Sequence, residues 1–323
     1  MLDLQQGIEL ASRYKLVRKL GAGGAAQTWL ATDRLTRAAV AVKILASDQV
    51  SAADFHKEWQ TSIRLMHAHI ARVFEYNDDT DTPFYSLQFI DGPDISALSG
   101  APLPDILGPI ALIADTLRYA HGKGIVHRDV KASNVLLDHN GAPYLLDFGV
   151  AAVDGSTGGG GSLIAASPES LAGKAPTPAD DIFALGGLIY ELVSGASPYS
   201  SAATAADIAD KVPAAMTRPD GSAVPAAIAE LVAAMLDKDA AARPDAEQVA
   251  AAVAAAGFEA GPAPRHYVNA AQSGADEVIE VMDTARPKSR HAAAAASSDV
   301  KPPAGISPKT LGISLAVLLA LLI

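Results

Sequence analysis

The chain has no cysteine. Disulfides, zinc–cysteine sites and thiol nucleophiles are therefore excluded, which suits a reducing compartment without requiring one. Positive charge is also short. Lys and Arg number 25 against 36 Asp and Glu, a formal net charge of −11. No broad basic field is present, so nucleic acid is not expected as a partner. The start, "MLDLQQGIELASRYKL", lacks the basic segment and continuous apolar run of a secretory leader. What the chain does have is apolar mass. Half of its 323 residues are hydrophobic, enough for a substantial core in one large domain or two lobes with extensions.

The patterning changes along the chain. Residues 14–90 read mostly as strands: "YKLVRKLGAG" and "TWLATD" flank a glycine-rich turn, and "AAVAVKIL" is strongly apolar. One helix interrupts them, with Phe55, Trp59, Ile63 and Met66 on one face. Residues 95–256 read mostly as helices. Ile106, Ile110, Ile113 and Leu117 form one stripe, and "DDIFALGGLIYELVSG" is a buried helix ending at a glycine. Residues 1–13 read as an N-terminal extension. Residues 257–310, rich in Ala, Pro, Ser and basic residues, read as a flexible linker. The run "LGISLAVLLALLI", 311–323, follows without a charge.

The chemistry begins at "LGAGGAAQTWLATD". Gly21, Gly23 and Gly24 in a strand–turn–strand setting let backbone N–H groups approach phosphate oxygens. Taken alone, the stretch also fits an ordinary hairpin. "AVAVKIL" then places Lys43 in an apolar strand, where a buried ammonium needs an anionic partner. Glu58, in "FHKEW", can supply it; a surface Lys and a solvated Glu are the bland alternative. "IVHRDVKASNVLLD" packs a His, an Arg, an Asp, a Lys and an Asn into eight positions between two apolar runs. Asp129 can accept or orient the proton of an attacking hydroxyl. Lys131 can offset charge on a transferred phosphoryl group. Asn134 offers an amide oxygen to a hard divalent cation, and Asp147 in "YLLDFGVA" offers a second oxygen. Capping and turn roles would account for each Asp singly, but not for the ordered set.

Taken together, these residues resemble a eukaryotic-type (Hanks-type) Ser/Thr protein kinase, most like the bacterial membrane-anchored branch. The markers occur in family order: the loop at 21–26, "AVK" at 41–43, Glu58, "HRDVKASN" at 127–134, "DFG" at 147–149, "SPE" at 167–169, "DDIFALG" at 180–186 and Arg243 in "AARPD". The resemblance implies an α+β bilobal fold, with a small β-rich N-lobe (14–90) carrying one key helix and a larger, mainly α-helical C-lobe (91–256). It implies ATP between the lobes, its phosphates under Gly21, Ala22, Gly23 and Gly24 and on Lys43, held by Glu58. Adenine would lie near Thr28, Ala41, the hinge Gln88–Ile90 and Leu136. Asn134 and Asp147 would bind Mg2+, or alternatively Mn2+. Asp129 and Lys131 would be catalytic, Glu169 would pair with Arg243, and Asp181 would brace the catalytic loop. Lys131 resembles the lysine of Ser/Thr kinases, so protein substrates bearing Ser or Thr are implied.

The chain departs from the family pattern in places. Ala26 replaces a loop glycine, Thr28 a valine and Ser167 an alanine. Gly158–Gly161 make the activation segment glycine-rich. Arg128 beside Asp129 implies an anion-binding role toward a phosphate on Ser156, Thr157 or Ser162, and autophosphorylation implies self-association. A pseudokinase scaffold and a small-molecule phosphotransferase are the competing classes. The apolar tail would span about 20 Å as a helix, short of the roughly 30 Å membrane core. Arg286, Lys288, Arg290, Lys301 and Lys309 precede it, as on a cytoplasmic flank. A C-terminal membrane anchor with the kinase domain in the cytoplasm is the expectation.

Overall fold

A computed structural model describes residues 4–23, 26–46, 50–78, 82–148, 166–199 and 204–272. Gly24, Ser156, Thr157, Ser162 and the tail 311–323 therefore lie outside the described residues, as does the expected linker beyond 272.

Alternation sets up the first lobe. The antiparallel strands β1 (Glu9–Leu10), β2 (Tyr14–Gly23), β3 (Ala26–Asp33), β4 (Ala39–Leu45), β5 (Val73–Asn77) and β6 (Phe84–Gln88) form one sheet, in the order β1-β2-β3-β4-β6-β5. Along β4, Val40, Val42 and Ile44 turn to one face and pack with Tyr14, Leu16, Trp29 and Phe84. A strand repeats every two residues, so Ala41 and Lys43 take the opposite face. There Ala41 joins Phe55, Tyr85 and Leu87 in a second cluster. Phe55 comes from helix α1 (Ala52–Ser62), which starts at Ser51, whose hydroxyl accepts the Asp54 N–H.

Two sequence expectations change here. Within the N-terminal extension, Glu9 and Leu10 pair with β2 in the sheet; Leu10 is buried, and Leu4 and Ile8 pack on the outer cluster. A two-residue strand is too short to leave a pattern. Second, α1 stops at Ser62. Ile63 and Met66, placed on its apolar face by spacing, are 40% and 69% exposed. The helical period predicts a face only while the helix lasts.

The second lobe is built on α2 (Leu103–Gly122), α4 (Pro178–Ser194), α6 (Ala226–Met235) and α7 (Ala246–Ala255), with short helices α3 (Pro168–Leu171) and α5 (Ala205–Asp210). The stripe Ile106, Ile110, Ile113 and Leu117 on α2 is fully buried. In α4 the run from Asp180 to Tyr190 is buried throughout, as expected of a helix that is apolar all round. Thr177 and Asp180 form its capping box, and Gly195, at φ 68°, ends it. Between the sheet and these helices lies a hairpin, β7 (Val135–Leu137) and β8 (Pro143–Leu145). The segment after α1 meets β8 through the Ala71 N–H, which donates to the Leu145 carbonyl at 3.1 Å.

The expected flexible linker does not begin at 257. Residues 257–264 pack against the second lobe, and α8 (Arg265–Gln272) follows them. Its docking runs largely through backbone, which composition does not reveal.

Candidate active site

Strand register assembles the first wall of the site. Lys43 lies opposite Thr28 on β3 and opposite Tyr85 on β6. Its ammonium donates to Glu58 Oε1 of α1 at 2.5 Å and to Asp147 Oδ1 at 3.0 Å. Tyr85 donates its hydroxyl to the same Glu58 oxygen at 2.6 Å. Burial alone would lower the Lys43 pKa; Asp147, Tyr85 and Glu58 together hold it well above the usual lysine range. Burial would raise the Asp147 carboxyl, but the charge and hydrogen bond of Lys43 hold it below the usual range. The Tyr85 phenol is pushed up, chiefly by burial, so it stays a donor. Sequence reasoning missed Tyr85. Only the β4–β6 pairing reveals that it shares Lys43's face.

The second wall is the loop 127–134. Asp129 Oδ2 meets Lys131 Nζ at 2.7 Å and accepts from Asn134 Nδ2 at 2.8 Å. Asn134 Nδ2 also donates to the Asp129 carbonyl at 2.7 Å. The amide nitrogen is thus committed, leaving its oxygen for another partner. His127, fully buried, ties this loop to the next. Its Nε2 donates to the Leu146 carbonyl at 2.6 Å and its Nδ1 accepts the Asp129 N–H at 3.2 Å. Those two partners require the neutral Nε2–H tautomer. The ring also stands edge-on to Phe148, centroids 4.7 Å apart.

Two residues here hold left-handed backbone: Arg128 at φ 72° and Asp147 at φ 53°. For residues with a β-carbon this costs about 1–3 kcal/mol each. Asp181 of α4 restrains the first. Its Oδ1 accepts the Arg128 N–H at 2.7 Å; its Oδ2 accepts the His127 N–H at 2.8 Å and His121 Nε2 at 2.8 Å. Farther out, Arg243 donates to Glu169 Oε2 at 2.8 Å. The departure at Ser167 has a structural reason: its hydroxyl bonds Asp180 and caps α3 by accepting the Ser170 N–H.

Between the walls lies a cleft of about 650 Å³. It brings together Gly21, Thr28, Ala41, Lys43, Gln88, Ile90, Leu136, Asn134 and Asp147. Ala22 and Gly23 sit on the β2–β3 hairpin but not in its wall, and Glu58 stands behind Lys43. Phe89, within the expected hinge, also lines it, as do residues the sequence did not single out, among them Leu20, Leu87, Leu146, Arg18, Asp91 and Ser133. The cleft suits a nucleotide. A β-carbon added at Gly21 or Gly23 would meet nothing within 4 Å, so protein packing does not demand glycine there and the room is open to a ligand. It suits a hard cation as well. No cluster of three or more acidic or His ligands occurs among the described residues, but such a cation needs only one or two protein oxygens beside phosphates. The Asn134 amide oxygen and the second Asp147 oxygen can provide them.

A protein kinase domain model matches residues 14–253. The chain is 31% identical to the Serine/threonine-protein kinase PrkC of Bacillus subtilis over 207 residues, covering 60% of this chain and 32% of that protein. It is 31% identical to the Serine/threonine-protein kinase PkaA of Streptomyces coelicolor over 301 residues, 84% of this chain and 54% of that one. The chain thus spans from about a third to about half of these relatives' lengths. Among solved structures, the Mycobacterium tuberculosis PknI kinase domain aligns with a TM-score of 0.63 at 25% identity, over 79% of this chain and 99% of that one. The sheet-plus-helix fold is the protein-kinase fold, and the chain belongs to the protein kinase family, within its bacterial eukaryotic-type branch.

Proposed function

We propose that the chain transfers the γ-phosphoryl group of ATP to Ser and Thr hydroxyls of proteins. One observation carries this reading: Lys43 and Asp147, in contact with each other and with Glu58 through Lys43, share one cleft with Asn134, which contacts Asp129, itself paired with Lys131. Lys43 would hold nucleotide phosphates, and Glu58 with Tyr85 keeps it aimed. Asp129 would orient the hydroxyl through its second oxygen. Lys131 would face the transferred group's charge. Asn134 and Asp147 would hold a magnesium ion, which would supply charge neutralisation for the phosphates. A pseudokinase scaffold has no need of this full array. The family implies ATP, a divalent metal and protein substrates.

The test is incubation of the full chain with radiolabelled ATP and magnesium, followed by phosphoamino-acid analysis. Label on Ser or Thr is expected, with a drop of about 100-fold or more in Lys43→Met. Label that persists in Lys43→Met, or none in the wild type, refutes the reading. Arg128 is exposed, and its guanidinium has no partner among the described residues. We include in the proposal that it binds a phosphate placed by autophosphorylation on Ser156, Thr157 or Ser162, through transient self-association. Mass spectrometry of the labelled chain should locate phosphate there; label confined to other positions removes this part.

Membrane attachment through 311–323 belongs to the same reading. Among the described residues, no helix is long and apolar enough to cross a membrane, so the support is the charged flank and the uncharged tail. Residues 1–323 should sediment with membranes and 1–305 should not. Equal solubility of both without detergent eliminates the anchor.

A further inference from the structure

After α7 the chain turns back across the second lobe. The Gly261 N–H donates to the Gly108 carbonyl of α2 at 3.2 Å, and the Ala263 N–H donates to the Gly141 carbonyl at 2.8 Å. Both contacts depend on missing side chains. A β-carbon on Gly108 would sit 3.2 Å from the carbonyl oxygens of Glu259 and Gly261; one on Gly141 would sit 1.8 Å from that of Ala263. Side chains then fasten α8. Tyr267 donates its hydroxyl to Asp105 of α2 at 3.0 Å, and Arg265 donates to Asn140 at 2.6 Å. Ala263 and Val268 are 2% and 0% exposed, within the same apolar core as α2 and α4.

The elements this segment touches are those that carry the cleft. Helix α8 packs on the 3-10 turn Ile95–Leu98, and Val268 lies beside Gly92. Gly92, Ser96 and Ala97 line the cleft. The turn at Asn140–Gly141 closes the β7–β8 hairpin, which holds Leu136 in the cleft and is flanked by Asn134 and Asp147. A single 3-10 turn and a hairpin of three-residue strands have little stability of their own. Their positions depend on what lies behind them.

We propose that residues 257–272 form a strap that sets the floor of the nucleotide cleft, with Val268 as a positioning residue acting through Gly92 and the 3-10 turn. The inference rests on the nucleotide reading of that cleft. Strap release lets the floor relax and weakens nucleotide binding, while Asp129 and its partners stay in place.

The test uses the full chain with Val268→Asp, which puts a charge into the core, and Tyr267→Phe, which removes one hydrogen bond and leaves the fold intact. Val268→Asp is expected to raise the KM for ATP about three- to tenfold, with kcat at saturating ATP within about twofold. Tyr267→Phe should move KM in the same direction by less. Amide hydrogen exchange should quicken at 92–98 and 135–142 in both. Faster exchange at 265–272 with unchanged exchange at 92–98 and unchanged KM overturns the strap, as does a loss confined to kcat. If the wild type shows no ATP turnover, the kinase reading fails by itself, and the exchange at 92–98 still decides the strap.

Discussion

Asp129→Asn is expected to lower phosphoryl transfer by about 10²–10⁴-fold. The reason lies in which oxygen is already engaged. Oδ2 receives both Lys131 and Asn134, so the second oxygen is the one available to a substrate hydroxyl. An asparagine in this place must turn its carbonyl oxygen toward the two donors. Its amide N–H then points where an acceptor is required, and the hydroxyl meets a donor. Nucleotide affinity should change little, because Asp129 is not part of the cleft wall. Steady-state kinetics with a protein substrate, beside a fluorescent-nucleotide titration, separates the two effects. A variant turning over at the wild-type rate would mean that Asp129 does not handle the hydroxyl.

Asp181→Ala should cause a large loss of stability. The carboxylate is fully buried and accepts from the His127 N–H, the Arg128 N–H and His121. Alanine leaves one buried and one part-buried backbone donor without an acceptor, at about 1–3 kcal/mol for the buried one. It also frees the left-handed backbone of Arg128, the residue next to Asp129. A combined loss of about 3 kcal/mol corresponds to a fall in Tm of roughly 6–12 °C for a domain of this size. Turnover should fall with it, since the loop that aims Asp129 is no longer fixed. A melting curve within 2 °C of wild type, measured beside activity, would show that the loop holds its shape by other means.

The sequence made the charged residues of this site legible because they stand in apolar settings. Lys43 within "AVAVKIL" and Asp129 within "IVHRDV" stand out against their neighbours, and the largely buried Lys43 charge must have a partner. The stripe Ile106–Leu117 and the capped, glycine-ended helix α4 were readable because their period and end signals are local. Tyr85 was not. Its role follows from a strand pairing across 42 positions of chain, and an aromatic in a strand looks like core. The lining residues Leu20, Leu87 and Leu146 were silent for the same reason. Ile63 and Met66 misled because their spacing outlived the helix. The strap was the largest surprise. Alanine, proline and glycine gave residues 257–264 the composition of a loose connection, whereas their hydrogen bonds run backbone to backbone onto glycines far upstream.

Gly108 leaves a trace of that docking in the sequence itself. A glycine inside a helix costs about 1 kcal/mol relative to alanine, and Gly108 stands within α2 without positive φ to excuse it. Its tight approach to Glu259 and Gly261 supplies the reason. The two regions should therefore be inherited as a pair. Lineages that lose the returning segment are released to accept alanine at this helical position and should drift toward it. Those that keep it should retain glycine. Across a set of bacterial kinases, the residue at this one place becomes a marker of whether the chain leaving the catalytic domain folds back or departs.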